Sequence, residues 1–392
     1  MSGTRRISIL GSTGSIGRNT LDIVSRHRDT FPVTALASRF DWKGIVEQAL
    51  RFDPSFVALF DEGAADKARE ALRPRGIAVL SGIDGVLEAA ASEKADIVVS
   101  AIVGAAGIMP TFAAVQAGKV VALANKEALV AAGRVIMAEA ERAGSTIIPV
   151  DSEHSAVFQA LMGQERSSVR RVLLTASGGP FFGKSPGFLA RVTPEMALDH
   201  PRWKMGPKVT IDSATMMNKG LEVIEARWIF DIPADRIEVL IHPQSVVHSI
   251  VEYRDGSMLA QMGVTDMRIP IAFALSYPRR LDLGLEPLDL AKIRSLEFHT
   301  PDPEMFPCLG LAYEALGREN GAPAVMNAAN EIAVEAFLNG DLPFADIPGV
   351  VRAVMDDPPP FDPDTLSGIL KGDQAARVKA RESVSHSLSR RS

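Results

Sequence analysis

The run from Ile7 to Gly17, I-S-I-L-G-S-T-G-S-I-G, constrains this chain more than any other segment. A short apolar strand passes straight into glycines at 11, 14 and 17 and then into a helical pattern. Strand, glycine loop and helix in that order form a dinucleotide cradle. Gly11 allows the tight turn, Gly14 lets backbone N–H groups approach a pyrophosphate, and Gly17 lets the helix lie close to the strand. Ile16, Leu21 and Val24 give the helix an apolar face, and Ser12, Thr13 and Ser15 add hydroxyl donors. A bare glycine-rich turn would carry the same glycines; the strand before and the helix after set this one apart. The next strand, Val33 to Ser38, should end beside the adenosine ribose. NAD enzymes place Asp or Glu there for the 2′-hydroxyl, whereas this chain reads Ser38-Arg39-Phe40. A hydroxyl and a guanidinium suit a 2′-phosphate, so NADPH is expected over NADH. The plainer alternative is that Arg39 is a solvated loop charge.

At 392 residues the chain has room for roughly two to three domains. Its 46% hydrophobic and 23% charged residues are those of an ordinary globular protein. A formal net charge of -6 argues against a general nucleic-acid binder and leaves a small metabolite as the expected partner. Cys308 is the single cysteine, which excludes an intrachain disulfide and a thiolate metal cluster and fits a reducing cytoplasmic setting. The uncharged stretch 97–118 invites a membrane reading, yet Ser100, Gly104, Gly107, Pro110, Thr111 and Gln116 within it point to a buried strand, loop and helix. The N-terminus enters the first strand with no hydrophobic signal segment or long basic leader, so no membrane or secretory role is expected.

Apolar strand candidates recur near 7–10, 33–37, 56–60, 97–101, 120–124 and 146–150, separated by helical patterns. That rhythm predicts an α/β fold opening with a doubly wound, Rossmann-like parallel sheet over residues 1–150. Residues 151–283 read as an α+β domain. Its runs begin at Val169, Ile237 and Met258, and an Asp255-Gly256 turn predicts antiparallel pairing. Pro287, Pro301, Pro303 and Pro307 mark 284–308 as a linker, and 309–392 reads as a helical C-terminal domain with a frayed tail from Ser383.

Asp151-Ser152-Glu153 follows the strand ending at Val150. In an extended segment alternation puts both acids on one side, where they make hard oxygen ligands for Mg²⁺ or Mn²⁺. A third ligand is sought in the segment from Asp212 to Phe230. Asn218 and Glu222, four apart, share a helical face with Lys219 at its margin; Glu222 is preferred, and Glu225 near the same face leaves the choice open. Taken singly, each acid reads as a surface charge paired with a nearby Lys or Arg; it is together that they point to a cation. Two segments offer phosphate ligands: Thr175 to Pro180, and Ser213 with Asn218 and Lys219 at the start of a helix. Ser177 and Ser213 supply hydroxyl donors and Lys219 a positive charge, suited to a dianionic monoester. The loop 197–207, with His200 and Trp203, reads as a closing lid or as a plain surface loop. Asn125-Lys126-Glu127 lies at a strand's carboxyl end, where Lys126 can reach a substrate oxygen; a helix N-terminal charge pattern is the alternative.

The segments G11-S-T-G-S-I-G17, N125-K-E127, P149-V-D-S-E-H-S155, S177-G-G-P-F181, D212-S-A-T-M-M-N-K-G-L-E222, H242-P-Q-S-V-V-H-S249 and N327-A-A-N-E-I332 together resemble the 1-deoxy-D-xylulose 5-phosphate reductoisomerase family over nearly the whole chain. The resemblance implies an NADP-dependent oxidoreductase that rearranges and reduces its sugar phosphate to 2-C-methyl-D-erythritol 4-phosphate in the non-mevalonate isoprenoid pathway. It implies a divalent metal, Mg²⁺, Mn²⁺ or Co²⁺, on Asp151, Glu153 and Glu222. Ser177, Ser213, Asn218 and Lys219 would bind the phosphate. Lys126, Ser152 and His200 would contact the sugar backbone, with Trp203 and Met205 on a flexible flap and His248 and Met267 lining the pocket. Thr13, Gly14, Ser15, Ile16, Asn125, Glu127 and Gly206 would contact NADPH, with Ser38, Arg39 and Phe40 at the 2′-phosphate turn. A homodimer is implied as well. Two positions depart from the family pattern: Ser38-Arg39-Phe40 keeps only the basic residue of a Gly, Lys or Arg, Asn turn, and Thr265 replaces a proline before Asp266. The expected chemistry is metal-assisted rearrangement of the carbon skeleton, then hydride transfer from NADPH. A plain NADP-dependent reductase, or an NADP-sensing binding protein with structural acids, would need fewer of these residues.

Overall fold

The protein is described from a computed structural model covering residues 3–200, 205–318 and 320–389. These residues form two compact units, the first comprising 3–128, 136–155 and 266–285. Its elements alternate without exception: β1 (Ile7–Leu10), α1 (Ser15–Arg26), β2 (Val33–Ser38), α2 (Trp42–Phe52), β3 (Phe56–Leu59), α3 (Glu62–Leu72), β4 (Ala78–Ser81), α4 (Gly82–Ala91), β5 (Ile97–Ser100), α5 (Ile108–Gln116), β6 (Val120–Leu123), α6 (Lys126–Ala143) and β7 (Thr146–Pro149). The strands make one seven-stranded sheet in the order β4-β3-β2-β1-β5-β6-β7, every pair parallel. β1, β2, β3 and β5 are buried along their whole length, as continuous apolar runs covered on both faces must be. β4 has no counterpart among the sequence-predicted strands. It lies at the sheet edge with one of its four residues buried, and its apolar run, Ile77 to Leu80, is only four residues long. Strand order reverses between β1 and β5, and ligands of such sheets bind beyond the strands' carboxyl ends at that reversal.

The second unit comprises 129–135, 156–265 and 286–389, the numbers again limited to described residues. The helix α7 (Ser152–Ala160) leads to β8 (Val169–Ala176), α8 (Pro186–Leu189), α9 (Pro194–Leu198), α10 (Pro207–Ala214), α11 (Met217–Phe230), β9 (Ile237–Ile241), β10 (Val247–Tyr253) and β11 (Met258–Met262). The strands form a sheet ordered β11-β10-β8-β9, with β10 and β11 antiparallel around Asp255-Gly256 as expected. The long run from Ile237 to Tyr253 is two strands, because Ser245 takes a positive φ of 53° between them. Then α12 (Arg268–Ser276) returns to the first core, where Ile271, Ala274 and Leu275 are buried. Beyond it, α13 (Leu290–Ile293) is a single turn in an otherwise irregular proline-rich segment. The remaining helices are α14 (Pro307–Gly317), α15 (Ala322–Leu338), α16 (Ile347–Asp356) and α17 (Leu366–Ser389). α17 carries the tail expected to fray in helical form as far as Ser389, while 390–392 lie outside the described residues. Among the described residues no helix is long and apolar enough to cross a membrane.

Candidate active site

At the carboxyl end of β1, Gly11 takes φ +83°, and a Cβ on it would stand 2.5 Å from the Ala101 carbonyl oxygen. A Cβ on Gly17 would stand 2.4 Å from both Cα and O of Ser12, so the opening turn of α1 can lie against the loop only as glycine. Gly14 is the N-cap of α1, and its own N–H donates to Gly11 O at 3.0 Å. The donors turned outward are therefore those of Ser15, Ile16 and Gly17, which have no acceptor inside the helix. No acid sits in this first turn to oppose an incoming anion. Thr13 Oγ1 and Ser38 Oγ share a hydrogen bond of 2.9 Å, which joins the loop to the end of β2. Arg39 and Phe40 follow on the exposed rim. Asp41, the nearest acid, is occupied in capping α2, accepting from Gly44 N at 3.0 Å, which leaves Arg39 as the ionic character of this turn.

Asn125 and Glu127 are both buried. Asn125 accepts from Ala128 N at 2.9 Å as the cap of α6 and donates to the carbonyls of Ile102 and Gly104 and to Glu127. These bonds tie the end of β6 to the loop after β5. Lys126, between them, forms an ion pair with Asp151, the two side chains 15% and 11% exposed. Asp151 Oδ1 also accepts from Glu153 N at 3.1 Å, and Nδ1 of the buried His154 lies 3.4 Å from the same oxygen. Glu153 rides on the first turn of α7, whose later residues Val157 and Leu161 share a core with Val223 and Ala226 of α11. Asp151, Glu153 and Glu222 each offer a carboxylate oxygen, and the three oxygens lie within 4.8 Å of one another. Of the two acids that helical spacing left open, Glu222 is the one in this group.

Glu222 is 1% exposed and is held by Lys219 Nζ and by Asn218 Nδ2, the latter at 2.6 Å. Two like-placed cations, Lys126 and Lys219, thus compensate acids of this group. Ser213 stands near the C-terminal end of α10, and Asn218 and Lys219 open α11. The single helix start read from the sequence is two helices meeting at Met216, whose φ is +59°. A Cβ on Gly179 would stand 2.7 Å from Ser213 O, so the turn carrying Ser177 lies directly on Ser213. Ser177 Oγ accepts from Gly179 N at 3.2 Å and contacts His200 Nε2 at 3.1 Å. Burial pushes the His200 imidazole below its ordinary value of 6.5. Ser152 bonds Glu153, His248 is buried on β10, Met267 caps α12, and Gly206 caps α10 just after Met205. Trp203 lies outside the described residues. Sequence reasoning missed two polar contacts. One is His154 beside Asp151, signalled by their spacing of three across the start of α7. The other is Asp212, which pairs with Lys208 at 2.8 Å and accepts from Asn330 of α15 at 2.8 Å.

Family models described as 1-deoxy-D-xylulose 5-phosphate reductoisomerase, its C-terminal domain, and the DXP reductoisomerase C-terminal domain match residues 7–133, 147–230 and 262–379. The reductoisomerase of Heliobacterium modesticaldum is 54% identical over 383 residues, 97% of each chain. The chain belongs to the 1-deoxy-D-xylulose 5-phosphate reductoisomerase family. Another reductoisomerase, from Geotalea uraniireducens, is 52% identical and covers 96% of this chain and 98% of its own. Among solved reductoisomerases, one in complex with NADPH, fosmidomycin and magnesium superposes with a TM-score of 0.94 at 41% identity, covering 97% of this chain and 98% of that one. The Zymomonas mobilis enzyme in complex with NADPH gives 0.92 at 44% identity, covering 97% and 99%.

Proposed function

We propose that this chain converts 1-deoxy-D-xylulose 5-phosphate to 2-C-methyl-D-erythritol 4-phosphate with NADPH and a divalent metal, as an NADP-dependent oxidoreductase of isoprenoid precursor formation. The approach of Asp151, Glu153 and Glu222 to within 4.8 Å of one another carries this reading. The donor set fits a hard cation, since all three ligands are carboxylates and ammonium groups already lie on two of them. The metal, when bound, supplies Lewis-acid polarisation of substrate oxygens. The glycine cradle fits a pyrophosphate, because a Cβ at Gly11 or Gly17 would fill it, and NADPH supplies the hydride.

The chain's own residues bind and orient. Ser177, Ser213, Asn218 and Lys219 hold the phosphate, an assignment supported by the packing of the Ser177 turn on Ser213. Lys126 and Ser152 stand beside the acids and meet the sugar backbone. His200, neutral near pH 7 because of its burial, keeps Ser177 oriented and adds a hydrogen bond to the sugar without a net charge. His248 and Met267 line the pocket, and Trp203, Met205 and Gly206 belong to the covering flap. Thr13, Gly14, Ser15, Ile16, Ser38, Arg39, Phe40, Asn125 and Glu127 serve the cofactor. In this reading residues 1–150 serve NADPH, 151–283 the metal and substrate, 284–308 link, and 309–392 close the protein. Mn²⁺ and Co²⁺ substitute for Mg²⁺ on these ligands. The working form is a cytoplasmic homodimer, supported by the single buried cysteine and by the exposed edge of β11.

The test follows NADPH absorbance with 1-deoxy-D-xylulose 5-phosphate, with and without a chelator, and identifies the product. Chelator-sensitive consumption yielding the branched polyol phosphate is expected. Formation of an unrearranged sugar alcohol would instead identify a plain reductase, and cofactor binding with no oxidation would identify a sensor.

A further inference from the structure

Phe40 is 66% exposed and Phe60 49%, and both stand at the carboxyl rim of the parallel sheet, after the adjacent strands β2 and β3. The two loops run side by side. Phe60 N donates to Ser38 O at 3.0 Å and Asp61 N to Arg39 O at 2.9 Å, so Phe60 is the neighbour of the basic turn. Each phenylalanine immediately precedes a helix N-cap, Asp41 for α2 and Asp61 for α3. A residue in that position commonly folds back on the fourth residue of its helix and is covered by it. Here those residues, Ile45 and Ala65, are already fully buried, while the phenyl rings stay open to solvent. Helix capping therefore does not account for them. Water contact over a phenyl face is unfavourable, and two such faces flank the turn that holds Arg39 and Ser38. Across the sheet reversal, the glycine loop after β1 fixes where a pyrophosphate lies, and β2 and β3 lie on one side of it.

We infer that Phe40 and Phe60 form the platform for the adenine ring of the dinucleotide, reading the base by stacking while Arg39 reads the 2′-phosphate. The inference rests on the proposed use of NADPH. It makes the base side of the site tolerant of exocyclic substituents, since a phenyl face offers no hydrogen bond to N6.

The probe is 2′,5′-ADP, which carries the adenine and the 2′-phosphate but no nicotinamide, titrated calorimetrically against the full chain. Phe60→Ala and Phe40→Ala should each weaken its binding about tenfold, the scale of lost base–aromatic stacking. Phe60→Leu should recover only part of that loss, and the inosine analogue should bind the unmutated chain within a fewfold of 2′,5′-ADP. Tight binding by the unmutated chain with equally tight binding by both alanine variants overturns the platform alone. A strong preference for adenine over hypoxanthine overturns it too. No binding of 2′,5′-ADP to the unmutated chain overturns both the platform and the dinucleotide reading beneath it.

Discussion

Glu222 shows how much of the site a single carboxylate holds: it meets Asp151 and Glu153 and accepts from both Lys219 and Asn218. Glu222→Gln keeps the side chain's size and one carbonyl acceptor but removes the charge a cation needs. Turnover should fall roughly a hundredfold or more, the rate equivalent of several kcal/mol of lost charge stabilisation, with metal affinity reduced and NADPH affinity unchanged. Steady-state rates across a metal titration, beside direct NADPH binding, check this; an unaltered kcat removes Glu222 from the ligand set. The sequence named all three acids, yet it could not choose between Glu222 and Glu225. Three residues apart on one helix they share a face, and only the position of Asp151 and Glu153 in three dimensions separates Glu222, which lies in their group, from Glu225. His200 supports a second expectation. Its folded-state pKa is depressed by burial, so the contribution of the neutral ring is complete above 6.5 and is lost as pH falls below that value. An NMR titration of the ligand-free chain should place the His200 midpoint below 6.5. A midpoint above it would mean the ring is charged and solvated, and that the contact with Ser177 arises otherwise.

At the level of elements, α11 depends on a glycine that its sequence does not advertise. Gly220 sits between Lys219 and Leu221, and a Cβ there would stand 2.6 Å from the Ala312 Cβ of α14. Neither partner is a flexible side-chain tip, so Gly220→Ala forces the two helices apart. Alanine favours a helix over glycine by about 1 kcal/mol, whereas overpacking costs about 1–3 kcal/mol. The expected outcome is a net loss of roughly 1–2 kcal/mol, read as a lower urea midpoint at unchanged slope, with weaker metal binding because α11 carries Glu222. A variant as stable as the parent would show that the approach relaxes at no cost. Most helices and buried strands were legible because long apolar runs and 3.6-residue periodicity announce them. β4 was not, because the apolar run Ile77 to Leu80 is so short that periodicity does not separate a strand from a piece of helix. The break at Met216 was not either, since nothing in T-M-M-N marks a left-handed residue, and so Ser213 was placed at a helix start that is in fact a helix end.

For the whole molecule, a linear reading of the chain meets its limit where the chain leaves a core and returns. Residues 266–285 belong with the first sheet, and α12 buries Ile271, Ala274 and Leu275 there, yet an apolar helix does not carry the address of the core it joins. The sheet of the second unit, ordered β11-β10-β8-β9, has two outer edges. The outer edge of β9 is partly covered, since Ile241 bridges to His299 with bonds of 2.8 and 2.9 Å. β11 is the opposite edge of that sheet, and Met258 and Leu259 on it are 52% and 43% exposed. An apolar, unprotected edge strand templates pairing with another chain, and a lysine on such an edge prevents it. If the proposed homodimer pairs through β11, Leu259→Lys should weaken association at least about tenfold, as loss of a buried interface anchor does. Light scattering across a dilution series should then show monomer at concentrations where the parent is a dimer. Because Leu259 lies on the rim of its own sheet, the thermal midpoint of the isolated subunit should change little. A variant that remains a dimer at every dilution would move the interface off β11, and the exposed Leu290 and Leu296 of the proline-rich segment would be the next residues to substitute.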